Sequence, residues 1–219
     1  MKTIHAVCFD MDGVIVDSER LSPMLVREAA KLQGCEMSEQ DALRSVGSSV
    51  KSLSAILESL FPGKINTKQF MQDWYDLTMT HVRTHGVPLK PYAREILAHL
   101  RERGIRLGLC TSNVAKVVLE YLELAGLTDA FDVIVTGEMA PCGKPDPALY
   151  LFCAEILGAS PEHCAGVEDS FNGVRAVRAA GMVSLMVPDV LPYSEDFAPY
   201  VDQCLPDLMA VQAHLESLV

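Results

Sequence analysis

The sequence has no cysteine pair at the spacing of a redox or zinc motif, and it is poor in positive charge. Its seven cysteines are scattered and odd in number, which does not suggest a disulfide framework. We therefore expect a reducing compartment, the cytoplasm. Only 18 Lys and Arg residues face 29 Asp and Glu residues, for a net charge of −11. Nucleic acids and anionic membranes require a basic face, so we expect neither as a partner.

Long apolar runs are absent as well. The apolar stretches, such as residues 132–136, have the length of strands and fall far short of a membrane-spanning helix. The chain enters its first predicted strand within a few residues of Met1, which leaves no room for a signal peptide. The hydrophobic content of 49% over 219 residues is enough for one large domain, or for a core domain with an insert.

Strand-length and helix-length segments alternate from residue 93 onward. Together with residues 4–9, the predicted strands are 106–110, 132–136, 163–167 and 183–187. The predicted helices between them are 93–103, 112–124, 147–157 and 171–180, and Ser112 is a candidate cap for the second of these. This alternation predicts an α/β fold with a Rossmann-like parallel sheet and helices on both faces.

Residues 17–87 break the alternation. Four helices are predicted there: one from residue 22 to Gly34, one opened by residues 38–41, which resemble a capping box, and two at 49–60 and 67–85. No strand pattern separates them. We therefore expect residues 17–87 to form a small helical domain, inserted into a core domain made of residues 1–16 and 88–219.

Two of the predicted strands run directly into pairs of carboxylates. Asp10 and Asp12 follow the first strand, and Glu168 and Asp169 follow the strand at 163–167. Open α/β sheets bind ligands at the carboxyl ends of their strands. Carboxylates brought together there would repel each other unless a cation lay between them, and hard oxygen ligands suit Mg²⁺. The sequence thus predicts a metal-dependent enzyme that acts on an anionic substrate.

Four short motifs occur in order along the chain: Asp10-x-Asp12-Gly13, Thr111 after a strand, Lys144-Pro145, and Glu168-Asp169. With these motifs the chain resembles the haloacid dehalogenase superfamily. Within it, the chain is similar to the β-phosphoglucomutase and phosphoglycolate phosphatase-like branch, whose helical cap domain follows the first motif. The resemblance covers essentially the whole chain and implies that residues 17–87 are such a cap.

The residues of the first motif suit phosphoryl transfer. The Asp10 carboxylate can attack phosphorus and form an aspartyl-phosphate, which splits one difficult displacement into two. Asp12 can protonate the leaving alkoxide and later deprotonate the hydrolytic water. Gly13 allows a tight turn that brings main-chain N–H groups toward the phosphoryl oxygens.

The resemblance assigns the metal ligands. It implies that Mg²⁺ is held by Asp10, by the backbone carbonyl of Asp12 and by Asp169, with Glu168 contributing directly or through water.

The resemblance also assigns two further catalytic residues. Thr111 would donate its hydroxyl to the phosphoryl group, and Lys144 would offset the charge of the nucleophile and the phosphate. Ser112 and Asn113 have two equally supported interpretations, helix capping or contact with the substrate phosphate.

We predict Mg²⁺-dependent hydrolysis of a small phosphate monoester, a sugar phosphate or similar metabolite, by a monomer. The alternative is a β-phosphoglucomutase-type mutase, which must bind a bisphosphate at both ends. Where that branch carries a histidine and an arginine in the cap, this chain has Ser22 and Ser49, and residues 112–114 replace its serine-lysine-asparagine stretch. Lys51 or Lys90 could supply the missing cation.

Three other interpretations receive less support. Dehalogenases of this fold lack the second motif-one aspartate, which is present here as Asp12. A binding module without turnover would be expected to lack a catalytic residue, and all are present. Phosphoglycolate phosphatases share the pattern, but nothing in residues 17–87 indicates glycolate. One departure from the family is Ala148, where an aspartate that contacts the motif lysine is usual.

Overall fold

The structure is a computed structural model that describes residues 3–45, 50–190 and 192–218, without the side chains of residues 50–52. Its contacts divide the chain into two compact units. Residues 1–16 and 89–219 form the first unit, and residues 17–88 form the second.

The first unit is built on a six-stranded sheet, in the order β3-β2-β1-β4-β5-β6, with every neighbouring pair parallel. The strands are β1 (Ala6–Phe9), β2 (Arg106–Cys110), β3 (Val133–Val135), β4 (Cys164–Glu168), β5 (Val183–Met186) and β6 (Gln203–Cys204). This sheet confirms the predicted α/β fold.

The structure corrects two predictions about the sheet. The predicted sheet ended at residues 183–187, whereas β6 adds an edge strand of only two residues, too short to produce a periodic pattern. The strand predicted at 163–167 lies one residue later, because Pro161–His163 forms a tight 3₁₀ turn before it. Glu168 is therefore the last residue of β4, and Asp169 is the first residue beyond it.

Five α-helices accompany the sheet in the described part of this unit. They are α5 (Ala93–Glu102), α6 (Ala115–Leu124), α7 (Ala148–Ile156), α8 (Phe171–Ala179) and α9 (Leu208–Glu216). The structure contradicts the capping role predicted for Ser112. Val114 occupies the N-cap of α6, and the carboxylate of Glu138 accepts the Ala115 N–H at 2.9 Å. The Thr111 hydroxyl accepts the Asn113 N–H at 3.1 Å. The chain therefore turns at residues 111–113, and α6 starts later than predicted.

The register of the central strands brings the motif residues to one edge. Phe9 at the end of β1 pairs with Leu109 on one side and with Val167 on the other. The residues that follow these three, including Asp10 and Glu168, therefore emerge side by side. Beyond Asp10 the chain turns sharply at Gly13, whose φ of 74° favours glycine.

The second unit contains four α-helices within its described residues: α1 (Ser22–Leu32), α2 (Glu39–Leu43), α3 (Val50–Leu60) and α4 (Thr67–His85). Their apolar faces meet around a core that includes Val26, Leu57 and Phe70. Ser38 caps α2 as the capping-box pattern predicts, since its Oγ accepts the Asp41 N–H at 3.1 Å. The Asp41 carboxylate accepts the Ser38 hydroxyl at 2.6 Å.

Two residues invoked for the mutase alternative cannot be placed. Ser49 and the side chain of Lys51 lie outside the described part of the chain. That the second unit acts as a lid also stays a prediction. Among the described helices, none is both long and apolar enough to cross a membrane.

Candidate active site

Lys144 lies between two buried carboxylates at the carboxyl edge of the sheet. Its ammonium is 2.6 Å from Asp10 Oδ1 and 2.6 Å from Glu168 Oε1, and it donates to the Cys110 carbonyl at 3.0 Å. Asp10 is 7% exposed and Glu168 is fully buried. One cation thus joins the ends of β1, β2 and β4, in a place from which water is nearly excluded.

The carboxylate of Glu168 is held by neutral donors as well. Tyr150 on α7 donates its hydroxyl to Glu168 Oε1 at 2.6 Å, and the Ser170 hydroxyl donates to Glu168 Oε2 at 3.1 Å. The Tyr150 ring lies 5.4 Å from the Lys144 ammonium. Our sequence analysis missed Tyr150. A signal was available, because a tyrosine among apolar helix residues needs a partner for its hydroxyl once it is buried.

Replacing Tyr150 by Phe removes one donor from a fully buried carboxylate without opening a large cavity. We expect the free energy of unfolding to fall by about 1.5–3 kcal/mol, the contribution of a hydrogen bond to a charged group, since Lys144 still contacts the same Glu168 oxygen. Urea unfolding measures this, with Tyr193→Phe as the matched control because Tyr193 is 38% exposed. Equal stability of the two variants would contradict the importance of the Tyr150 hydroxyl.

Gly173 in α8 makes room for Glu168. A Cβ at Gly173 would overlap the Glu168 carboxylate. Replacing a helical glycine by alanine normally stabilises a protein. Here we expect Gly173→Ala to destabilise it by about 1–3 kcal/mol, because the carboxylate must move.

The control for Gly173→Ala is Gly143→Ala, where a Cβ would meet open space. Urea unfolding of both variants tests the prediction. A gain in stability for Gly173→Ala would mean that Glu168 is not confined as described.

Asp12 is joined to the loop after β2. The side-chain amide of Asn113 donates to Asp12 Oδ2 at 2.7 Å, so the structure places this predicted substrate-binding residue against the predicted general acid. The hydroxyl of Thr111, which is 1% exposed, accepts from the Asn113 N–H and still has its own proton to donate. Ser112, the third predicted substrate-binding residue, is exposed.

A cation site fits the residues present. Asp10, Glu168 and Asp169 each offer a carboxylate oxygen, and these oxygens lie within 4.8 Å of one another. Both Glu168 oxygens accept hydrogen bonds from protein donors, and Asp10 Oδ1 accepts from Lys144. Three clustered carboxylates are the donor set of a hard cation such as Mg²⁺. The cluster could therefore hold the metal that the sequence predicts.

Burial and the neighbouring charges shift the pKa values of three residues in this cluster. Burial, together with Glu168 and Asp12, raises the pKa of Asp10 to about 8, although Lys144 opposes the shift. For Lys144, burial would lower the pKa, but Asp10 and Glu168 outweigh burial and raise it. Burial and the charge of Glu168 raise the pKa of Tyr150, which stays a donor. Without a divalent cation, Lys144 therefore stays charged, and Asp10 retains a proton below about pH 8.

Comparison with known proteins places this geometry in context. A family model described as haloacid dehalogenase-like hydrolase matches residues 4–181. Hexitol phosphatase B of Escherichia coli (strain K12) is 30% identical over 188 residues, 85% of each chain. The phosphorylated carbohydrates phosphatase of Thermotoga maritima is 33% identical over 179 residues, 82% of each chain. A solved Thermotoga maritima structure assigned as β-phosphoglucomutase has a TM-score of 0.83 at 28% identity, covering 99% of this chain and 100% of that one.

Proposed function

The chain belongs to the haloacid dehalogenase-like hydrolase family, and from that premise we propose that it is a Mg²⁺-dependent phosphatase of small phosphorylated sugars or polyols. The observation that carries this proposal is the contact of one buried ammonium with both Asp10 and Glu168. The named activities of the relatives in Escherichia coli and Thermotoga maritima, a hexitol phosphatase and a carbohydrate phosphatase, support the substrate class.

In the proposed reaction, Asp10 attacks the phosphorus and the bond to the alkoxide breaks, which gives an aspartyl-phosphate that water then hydrolyses. Lys144 holds one Asp10 oxygen at 2.6 Å and orients the other for attack. Bound Mg²⁺, held by Asp10, Asp169 and the Asp12 carbonyl, would neutralise charge on the phosphoryl oxygens. The Thr111 hydroxyl is a donor for the same oxygens.

Proton transfer falls to Asp12. Its carboxylate would protonate the leaving alkoxide in the first step and take a proton from the attacking water in the second. Asn113 fixes Asp12 Oδ2 through the 2.7 Å hydrogen bond. A fixed carboxylate loses less entropy on reaching the transition state, which is the contribution of positioning to catalysis.

The ion pair of Lys90 favours hydrolysis over the mutase alternative. Its ammonium is 2.6 Å from Asp189 Oδ1, so it is already engaged by a carboxylate and is a poor candidate for binding a second phosphate. Helix α1 begins with Ser22, at the position where the mutase branch carries a histidine. A monomer remains our prediction for the assembly state.

A substrate panel tests the proposal. Phosphate release is measured from hexitol phosphates, hexose phosphates, nucleotides and phosphoglycolate, each with Mg²⁺ and with a chelator. We expect the highest kcat/KM on a hexitol or sugar phosphate, and loss of activity with the chelator. Conversion of a hexose 1-phosphate that requires a bisphosphate primer would favour the mutase. No turnover on any monoester by folded protein would contradict the proposal and favour a binding module.

A further inference from the structure

Asp189 is a buried carboxylate that the reaction described above does not use. It lies three residues beyond the end of β5, and its side chain is 3% exposed. Its Oδ2 atom has no hydrogen-bond partner within the described part of the chain. A buried carboxylate oxygen without a donor is costly. A ligand that donates a hydrogen bond to Asp189 Oδ2 would therefore be favourable.

Lys90 fixes the orientation of this carboxylate. The Lys90 ammonium donates to Asp189 Oδ1 at 2.6 Å, and its side chain is 12% exposed. The Lys90 backbone N–H donates to the Ile15 carbonyl at 2.9 Å, which anchors it to the loop that follows β1. The ion pair holds one oxygen of Asp189 and leaves the other directed elsewhere.

The free oxygen lies at the edge of the catalytic cluster. A Cβ at Gly13 would overlap the carboxylate of Asp169 and stand 3.3 Å from Asp189 Oδ2. The two carboxylates thus approach the same point of the loop after Asp10. Charge repulsion excludes an anionic ligand between the two carboxylates. A cation or a group that donates hydrogen bonds would suit this position.

Direct coordination by Asp189 does not fit the distances. The compact group of Asp10, Glu168 and Asp169 has oxygens within 4.8 Å of one another, and Asp189 is not a member of it. Oxygens that share one Mg²⁺ ion lie within about 4.2 Å of each other, twice the bond length of about 2.1 Å. Mg²⁺ keeps several of its waters in protein sites, and these waters are donors that can reach further.

We propose that Asp189 is an outer ligand of the divalent cation site, with its Oδ2 accepting hydrogen bonds from water that the cation retains. Lys90 positions the carboxylate for this contact. The inference rests on the proposed function, because it requires the cation. Outer partners of this kind change metal affinity by about 10- to 100-fold.

Calorimetric titration of substrate-free protein with Mg²⁺ tests the proposal. We expect Asp189→Asn to weaken Mg²⁺ binding by about 10-fold or more, and the Mg²⁺ concentration for half-maximal phosphate release to rise by the same factor. Asp129→Asn, at an exposed aspartate, is the matched control and should bind like the unmodified protein. The single variant leaves Lys90 buried without its carboxylate and could fail to fold.

A double variant tests the proposal if Asp189→Asn alone does not fold. Lys90→Met with Asp189→Asn removes both charges together, and we expect the same loss of Mg²⁺ affinity. Unchanged affinity in either folded variant would overturn the role of Asp189 and leave the proposed function standing. If the unmodified protein binds no Mg²⁺, the proposed cation site fails and this inference fails with it. Asp169→Asn should abolish binding, which identifies the site that is titrated.

Discussion

Replacing Asp10 by Asn is expected to lower phosphate release by on the order of 10³-fold or more, because the amide cannot serve as the nucleophile. The substitution keeps the shape of the side chain and its oxygen acceptor for Lys144, so the fold should survive. Activity on the best substrate of the panel is compared with that of Asp129→Asn, which changes an exposed carboxylate. Turnover within tenfold of the unmodified protein would contradict the role of Asp10.

Asp10→Asn should also change how the free energy of unfolding depends on pH. The pKa of Asp10 rises from 3.8 to about 8 on folding, so the folded state binds a proton that the unfolded state has released. Between these two pKa values the free energy of unfolding therefore falls as the pH rises, if no divalent cation is present. Asn cannot titrate, so Asp10→Asn should remove this part of the slope.

Urea unfolding with a chelator, at several pH values between about 4 and 8, measures this slope. Asp129→Asn again provides the control, and its slope should match that of the unmodified protein. An identical slope in Asp10→Asn would mean that Asp10 does not retain the proton.

Replacing Lys144 by Met is expected to have the largest effect on stability. It leaves Asp10 and Glu168 buried without the ammonium that lies 2.6 Å from each. Removing one partner of a buried ion pair typically costs about 3–5 kcal/mol, and phosphate release should fall as well. The matched control is Lys64→Met, at an exposed lysine, which should leave urea unfolding nearly unchanged.

The pH dependence separates this electrostatic cost from a packing defect. Lys144 lowers the pKa of Asp10 in the unmodified protein, so its removal raises that pKa further. The stability deficit of Lys144→Met should therefore be larger near about pH 9, where the unmodified protein has ionised Asp10, than near about pH 6. A deficit that is constant with pH would point to packing.

Much of the fold was predictable because its signals are local. The alternation of strands and helices after residue 93 predicted the parallel sheet, and the patterns in residues 17–87 predicted the helices α1 to α4. The errors have local causes too. Ser112 was a candidate helix cap because of its residue type, but the chain turns between Thr111 and Asn113, and α6 begins only at Ala115. The edge strand β6 was too short to show a period.

The sequence by itself determined which acids end the strands, because apolar runs and their flanking carboxylates are contiguous and strands of one parallel sheet share an edge. Only the tertiary structure decided that Lys144 joins Asp10 to Glu168, that Tyr150 supplies Glu168 with a donor, and that Asp189 approaches Asp169. Those partners lie far apart along the chain. Contacts of that kind depend on how helices and loops pack across the sheet. The hydrophobic periodicity of the sequence does not contain that information.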